Sequence, residues 1–205
     1  MHDQTLGEFL QALSARTPAP GGGAAAALHL GQAAALLGMV ARYSTGPKYQ
    51  EHADLIAEVT SQADELRDGA LRFAEQDAAA FQLVADAYAL PKGTEEERKA
   101  RSQSIARAAL AAAQPPAEVV AAAEQAISLA ERLAPVANRN VITDVAAAAE
   151  AARAAAVTAR INIEINLVGA TDAESARLRE TAAGVDALAA RAEAITAEVR
   201  KRIAE

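Results

Sequence analysis

The sequence predicts an all-α fold, an up-and-down bundle of six to seven helices forming a single domain over residues 1–205. Three observations carry that prediction. Alanine dominates a composition that is 52% hydrophobic, and the apolar residues recur at helical rather than alternating spacing. Aromatic residues make up 3% of the chain, and the β-branched and aromatic positions are too sparse and scattered for a sheet. Proline and glycine fall in short clusters that separate long unbroken stretches. A chain of 205 residues suffices for one sizeable core. With so few large rings, that core has to form by close approach of helices.

The first helix is expected from about Asp3 to Ala15, with Phe9, Leu10 and Leu13 on its apolar side. It stops at Thr17-Pro18-Ala19-Pro20, because each proline fixes its own φ and biases the residue before it away from the helical region. Gly21-Gly22-Gly23 follows and opens a helix from Ala24 to Arg42. A side-chain-free turn at a helix start presents free N–H groups and the positive dipole end, which suits a carboxylate or phosphate. The same segment also reads as a tight turn between two helices. Gly21, Gly23 and Ala26 fit G-x-G-x-x-[G/A], but no strand precedes them, so the dinucleotide fingerprint lacks its context. No Gly-Lys-Ser/Thr follows, which excludes a nucleoside-triphosphate loop.

No Asp, Glu, Lys or Arg occurs from Thr17 to Ala41. That length could span a bilayer, yet the segment is mostly alanine and glycine with His29 and Gln32. Ala27, Gly31 and Ala35 are spaced by four, as are Ala34 and Gly38, and small residues at that spacing let two backbones come close. The helix is therefore expected at the centre of a bundle or along the seam of a homodimer, with His29 as a core or interface histidine.

Ser44-Thr45-Gly46-Pro47 is a turn. From Lys48 to Leu90 there is no proline, and Leu55, Ile56, Val59, Leu66, Ala70, Phe73, Phe81, Val84 and Tyr88 recur at helical spacing. This predicts one long helix or two stacked ones, with Gly69 the weak point. Glu58, Asp64, Glu65, Arg67, Asp68 and Arg72 read as its solvated face. Leu90-Pro91-Lys92-Gly93 closes it. Thr94 and Glu97 form a capping-box signal for a helix over about Glu95 to Ala113. Gln114-Pro115-Pro116 interrupts, and a helix from about Ala117 to Leu133 ends at Pro135. Asn138-Arg139-Asn140 is a polar turn before a helix over Val141 to Val168. Gly169 ends that helix, and Thr171 with Glu174 is a second capping-box signal. The final helix is expected from about Asp172 to Ile203, with Glu198 and Arg202 at supportive spacing.

The net charge of −7 argues against general nucleic-acid binding. With no cysteine there is no disulfide, thiolate metal site or cysteine nucleophile. The N-terminus lacks a basic region followed by an apolar run, so a cytoplasmic protein without a secretory signal or membrane partner is expected. The histidines lie within the first 52 residues, none beside a nucleophile motif, and no His-x-x-x-His or Glu-x-x-His spacing occurs. No metal is expected. What remains are polar residues inside apolar helices. Asp77 lies among small and aromatic neighbours, Asn140 and Asp144 are four apart, and so are Asn162 and Asn166. Buried polar side chains without partners cost about 1–3 kcal/mol each. These residues therefore form either a polar pocket or a set of interhelical hydrogen bonds and caps. A buried carboxylate has raised proton affinity and can act as acid or base near neutral pH.

Taken together, Thr17 to Ala24, Thr45 to Tyr49, Asp77 with Ala80-Phe81, Leu90 to Lys92, Asn138 to Asp144 and Asn162 to Leu167 resemble the cyclodeaminase/cyclohydrolase family. That family includes the C-terminal domain of formiminotransferase-cyclodeaminase and stand-alone methenyltetrahydrofolate cyclohydrolases. The resemblance covers nearly the whole chain in order and spacing. It implies an all-helical, homodimeric subunit acting on a tetrahydrofolate one-carbon adduct, in the stand-alone form because the transferase domain is absent. No cofactor beyond the folate substrate is implied.

The chemistry then assigns roles. Closing formimino-tetrahydrofolate requires a base and an acid for the departing ammonia, and opening methenyl-tetrahydrofolate requires activated water at a cationic carbon. Asp77 and Asp144 are the catalytic candidates. Asn138, Asn140, Asn162 and Asn166 are expected to hold the pterin. Lys48, Lys92 and the glycines Gly21, Gly22 and Gly23 face the glutamate tail, with Tyr49 in the same binding set. Ala24, Pro47 and Ala137 depart from the family pattern, where serine, lysine and glycine are usual. A non-catalytic folate- or anion-binding relative and a purely structural helical dimer are the alternatives. Folate binding without turnover distinguishes the first, and mutually bonded polar residues with no cavity distinguish the second.

Overall fold

The computed structural model describes residues 4–205. Among them are eight α-helical segments and no strand: α1 (Leu6–Leu13), α2 (Gly22–Tyr43), α3 (Ala53–Ala89), α4 (Glu95–Ala112), α5 (Gln114–Leu133), α6 (Ile142–Asn166), α7 (Ala173–Ala183) and α8 (Val185–Ala204). Short 3-10 turns at Pro47–His52 and Arg139–Val141 lead into α3 and α6. The all-α expectation is met. The eight segments arise because the final expected helix bends at Gly184 into α7 and α8; counted as one bent helix, they give the expected seven.

The helix ends follow local chemistry. Thr5 and Glu8 close a capping box on α1, with Thr5 N–H donating to Glu8 Oε2 at 2.7 Å and Glu8 N–H to Thr5 Oγ1 at 3.2 Å. The expected start at Asp3 lies outside the described residues. Thr94 and Glu97 form the predicted box on α4. The second expected box is corrected: Asp172, not Thr171, is the N-cap of α7, accepting from Ser175 N–H at 2.9 Å. An aspartate carboxylate is the better cap, and one residue of register decides which side chain reaches the free amides. Pro115 and Pro116 do not interrupt a helix but open α5, where the missing N–H groups would have had no partner. Gly69 does not break α3, which runs unbroken for 37 residues, because the glycine is buried beside the Phe73 ring.

α2 occupies the centre, packed against α3, α6 and α5. Its composition would allow a membrane crossing, but its sides bury Ala26, Ala27, Leu30, Ala33, Ala34, Leu37 and Val40 in the common core. The small residues act as expected: a Cβ at Gly31 would touch Ala70 Cβ at 3.4 Å, and one at Gly38 would lie 3.6 Å from Ala63 Cβ. Close approach thus replaces ring burial as the source of packing. His29 is not in the core; it is partly exposed, with Nδ1 3.4 Å from Gln32 Oε1. The charged face of α3 is more than solvated, since Arg132 of α5 grips Glu58 at 2.5 and 2.8 Å and Arg42 of α2 reaches Asp64 at 2.6 Å. The spacing of Glu198 and Arg202 does not produce a pair; Arg202 donates instead to the Ala134 carbonyl. α3 and α6 both run antiparallel to α2, so the bundle has a glycine end, near Gly22, Asp77 and Asn162, and a tyrosine end, near Tyr43, Tyr49 and Asn138.

Candidate functional site

At the glycine end, α2 begins with no side-chain cap of its own, since its N-cap is Gly21. Asp77, from α3, faces this uncapped turn. Its carboxylate lies against the first turn of α2 so closely that a Cβ at Gly23 would overlap its three carboxyl atoms. Gly23 is therefore required for close approach. Two opposing influences act on Asp77. Burial pushes its carboxyl above the ordinary carboxylate range, and the Ala24 backbone amide facing it partly opposes the shift.

α6 brings two amides to the same place. Asn162 lies over Gly22, where a Cβ would be 3.3 Å from Asn162 Nδ2. Asn162 Nδ2 donates to the Thr158 carbonyl at 2.9 Å, and Asn166 Nδ2 donates to the carbonyls of Asn162 at 2.9 Å and Ala112 at 3.2 Å. These partners fix the orientation of both amides. The NH₂ groups are tied to backbone, and both Oδ1 atoms have no partner among the described residues. Beside Asn166 opens a cavity of about 620 Å³, walled by Val84 and Tyr88 of α3, Ile105 of α4 and Ile165 of α6. Arg101 sits over the Tyr88 ring at 5.4 Å and donates to the Tyr88 carbonyl at 3.0 Å, which ties α4 to α3. Asn166 lines that cavity, whereas Asp77 and Asn162 stand outside it at the start of α2, so the glycine end offers a carboxylate and two amide oxygens next to a partly apolar slot. It suits a ligand with a donor-rich or cationic head attached to a flat ring system.

The expected residues thus divide into two groups, with Lys92 in neither. Gly21, Gly22, Gly23, Asp77, Asn162 and Asn166 converge. Lys48, Tyr49, Asn138, Asn140 and Asp144 lie at the tyrosine end, because α6 carries Asp144 and Asn162 about 27 Å apart at its rise of roughly 1.5 Å per residue. Pairing Asp77 with Asp144 inside one chain is corrected accordingly. Asp144 is half-buried and has no hydrogen-bond or ion-pair partner among the described residues. Asn138 is a structural cap: Nδ2 donates to the Tyr43 carbonyl at 2.8 Å, its backbone N–H to Ser44 Oγ at 2.9 Å, and Oδ1 accepts from Asn140 N–H at 3.0 Å. Asn140 sits in the 3-10 turn before α6 rather than on the helix with Asp144. Lys48 rests over the Tyr49 ring at 5.5 Å. Lys92 lies in the exposed loop between α3 and α4, well past Asp77 along α3.

Sequence reasoning missed the wall of the cavity. Tyr88, Ile105 and Ile165 each fit a helical apolar pattern, and only the crossing of α3, α4 and α6 leaves space between them. It also missed that the Asp77 carboxylate lies against the uncapped first turn of α2. The signal for that was a helix opening on three glycines with no capping side chain of its own.

The formiminotransferase-cyclodeaminase family model matches residues 5–184. Methenyltetrahydrofolate cyclohydrolase of Methylorubrum extorquens is 35% identical over 181 residues, covering 87% of each chain. Formimidoyltransferase-cyclodeaminase of Mus musculus is 30% identical over 175 residues, which cover 83% of this chain and 32% of that longer protein. The crystal structure of formiminotetrahydrofolate cyclodeaminase from Thermotoga maritima superposes with a TM-score of 0.82 at 25% identity, covering 97% of this chain and 98% of that one. In sequence over most of its length and in fold over nearly all of it, the chain belongs to the formiminotransferase-cyclodeaminase family.

Proposed function

We propose that this protein is a folate one-carbon enzyme that hydrolyses 5,10-methenyltetrahydrofolate to 10-formyltetrahydrofolate. The observation that carries the reading is a half-buried carboxylate of raised proton affinity, Asp77, seated on the first turn of α2 at Gly23 beside two unpartnered amide oxygens. The M. extorquens cyclohydrolase, similar over most of both chains, supports the choice of reaction.

The reaction adds water to the amidinium carbon between N5 and N10 of the substrate. The Asn162 and Asn166 oxygens face the cationic head and the donor edge of the pterin, and the apolar cavity beside Tyr88 takes a flat ring. Asp77, ionised, accepts a proton from the attacking water as the C–O bond forms. It then returns that proton to N5 as the N5–C bond breaks, leaving the formyl group on N10. One proton is released overall, which balances the loss of the substrate's positive charge. A carboxyl held above its usual range suits both halves of this exchange. The same reading has the enzyme working in the cytoplasm as a homodimer, with no cofactor beyond the reduced folate.

Loss of methenyltetrahydrofolate absorbance tests the proposal directly. Wild-type protein is expected to accelerate the loss above the spontaneous rate, and Asp77→Asn to lower kcat by about 10²-fold or more. A wild-type rate equal to the buffer control refutes the activity, and an unimpaired Asp77→Asn refutes the assigned base. The fold-level match to the T. maritima cyclodeaminase favours a second reaction at the same site, release of ammonia from formimino-tetrahydrofolate. Here the protonated form of Asp77 would deliver the proton to the leaving amine. Ammonia production from that substrate distinguishes the two.

A further inference from the structure

We infer that Pro116 is a positioning residue for the proposed substrate site: by lacking an N–H, it leaves the Ala112 carbonyl of α4 for the side-chain amide of Asn166. The inference rests on the proposed folate reading for its ligand, while the contacts behind it belong to the ligand-free protein. Ala113, between α4 and α5, is itself helical at φ −82° and ψ −14°, so α4 runs into α5 with one residue between them. In a continuing α-helix each carbonyl accepts from the N–H four residues on. For Ala111 and Ala112 those residues are Pro115 and Pro116, which have none. Within α5 the missing N–H groups would be orphans; it is the end of α4 that lacks them.

Ala112 is buried, and a buried acceptor without a donor is costly. Asn166 Nδ2 supplies the donor, at 3.2 Å. Asn166 is the last residue of α6, where a helix frays. A single bond to its own helix, the one to the Asn162 carbonyl at 2.9 Å, would leave the amide free to turn about it. The bond to a carbonyl on a second helix uses the other hydrogen of the NH₂ and fixes the amide plane. A flipped amide would set its oxygen against both carbonyls. What the two bonds leave over is Oδ1, on the residue among Asp77, Asn162 and Asn166 that lines the cavity of about 620 Å³. The elbow itself is tied down, because Gln114 Nε2 donates to Glu174 Oε1 of α7 at 2.7 Å. An acceptor fixed in advance loses less freedom when a ring N–H of the reduced pterin binds, so the arrangement serves binding and not the chemical step. Pro115 differs from Pro116 by one place in register. Its missing N–H would have served Ala111, which is exposed and whose carbonyl is not an acceptor for Asn166.

Steady-state kinetics on methenyltetrahydrofolate and side-chain ¹⁵N NMR decide it. Pro116→Ala offers Ala112 a backbone N–H in place of Asn166, and Pro115→Ala makes the same exchange one carbonyl away. Pro116→Ala is expected to raise KM about 5-fold with kcat within about twofold, and Pro115→Ala to leave both within about twofold. Asn166→Ala should raise KM about 10-fold. Combining Pro116→Ala with Asn166→Ala should be no worse than Asn166→Ala alone, because Pro116 acts only through that amide. A wild-type KM in Pro116→Ala, an equal loss in Pro115→Ala, or a combined variant carrying the product of both losses overturns the proposal. Pro116→Ser brings the same N–H and is held to the same outcomes, should the alanine variant not fold. In the ligand-free protein the Asn166 NH₂ protons are expected to exchange with solvent several-fold faster in Pro116→Ala than in wild type or Pro115→Ala. Equal exchange overturns the positioning role whether or not the enzyme turns over. A wild type inactive on methenyltetrahydrofolate, with the exchange difference intact, sinks the functional reading alone.

Discussion

The three adjacent glycines provide a sharp test, because the structure gives each a different role. A Cβ at Gly23 would overlap the Asp77 carboxyl group, whereas ordinary contact begins near 3.4 Å. In Gly23→Ala the carboxylate must therefore retreat by roughly 1 Å or more, and a displacement of that size costs a catalytic group about 10²-fold. The same retreat takes the carboxylate away from the Ala24 amide that faces it, a loss of at most about 1 kcal/mol. Alanine returns up to about 0.8–1 kcal/mol of helix propensity over glycine, less in a first turn. The two stability effects nearly cancel, so Tm should fall by no more than about 4 °C in a chain of this size. A Cβ at Gly21 would meet nothing within 4 Å, and the φ of −140° there is open to any residue. Gly21→Ala is thus the control. The assay is kcat for methenyltetrahydrofolate hydrolysis alongside thermal unfolding followed by circular dichroism. Gly23→Ala is expected to lose about 10²-fold in kcat with little change in Tm, and Gly21→Ala to leave Tm unchanged and Asp77 undisplaced. Gly23→Ala with activity within about twofold of wild type would refute the reasoning, since Asp77 would then not be needed where it lies.

The raised proton affinity of Asp77 sets both a rate profile and a stability profile. The rate of hydrolysis should rise with pH through an apparent pKa above the ordinary carboxylate value, and the acid limb should vanish in Asp77→Asn. For stability the sign runs the other way: a folded-state pKa above the unfolded one favours the folded form below the unfolded value, and that advantage is lost as pH rises through the folded value. Asp77→Asn removes this loss and should be at least as stable as wild type at pH 7 in urea titrations. Truncating Asn162 removes an acceptor while leaving Asp77 in place, so Asn162→Ala should raise KM about 10-fold with a smaller effect on kcat, which steady-state kinetics would show. Ser44 is fully buried and joins two elements, donating to the Val40 carbonyl at 2.8 Å and accepting from Asn138 N–H at 2.9 Å. Ser44→Ala leaves that amide unpaired and should cost about 1–3 kcal/mol in chemical denaturation.

Much of the fold was legible in the chain, for local reasons. Thr94 and Glu97 announced a helix start because both capping partners are three residues apart and need nothing from elsewhere. The small residues of α2 announced close packing because spacing alone puts Ala34 and Gly38, both buried, on a shared side. Where sequence and structure part, the deciding contact is one of register or context. Asp172 displaces Thr171 as a cap, and Gly184 divides a helix that periodicity alone continues. The site shows the same division. Asp77, Asn162 and Asn166 stand out as polar residues among apolar ones, but Asn138 stands out equally and is a cap. A polar residue in an apolar helix has to be satisfied, and its sequence neighbours do not say whether backbone or ligand does it.

By itself the sequence determined an all-helical chain, a central helix without charge, and a short roster of polar residues that needed partners. Only the tertiary structure decided which of them meet. α3 and α6 cross the start of α2 at Asp77 and Asn162, and the length of α6 carries Asp144 to the opposite end of the bundle. Helical periodicity specifies the face on which a residue lies, whereas distance between residues on different helices depends on how those helices pack.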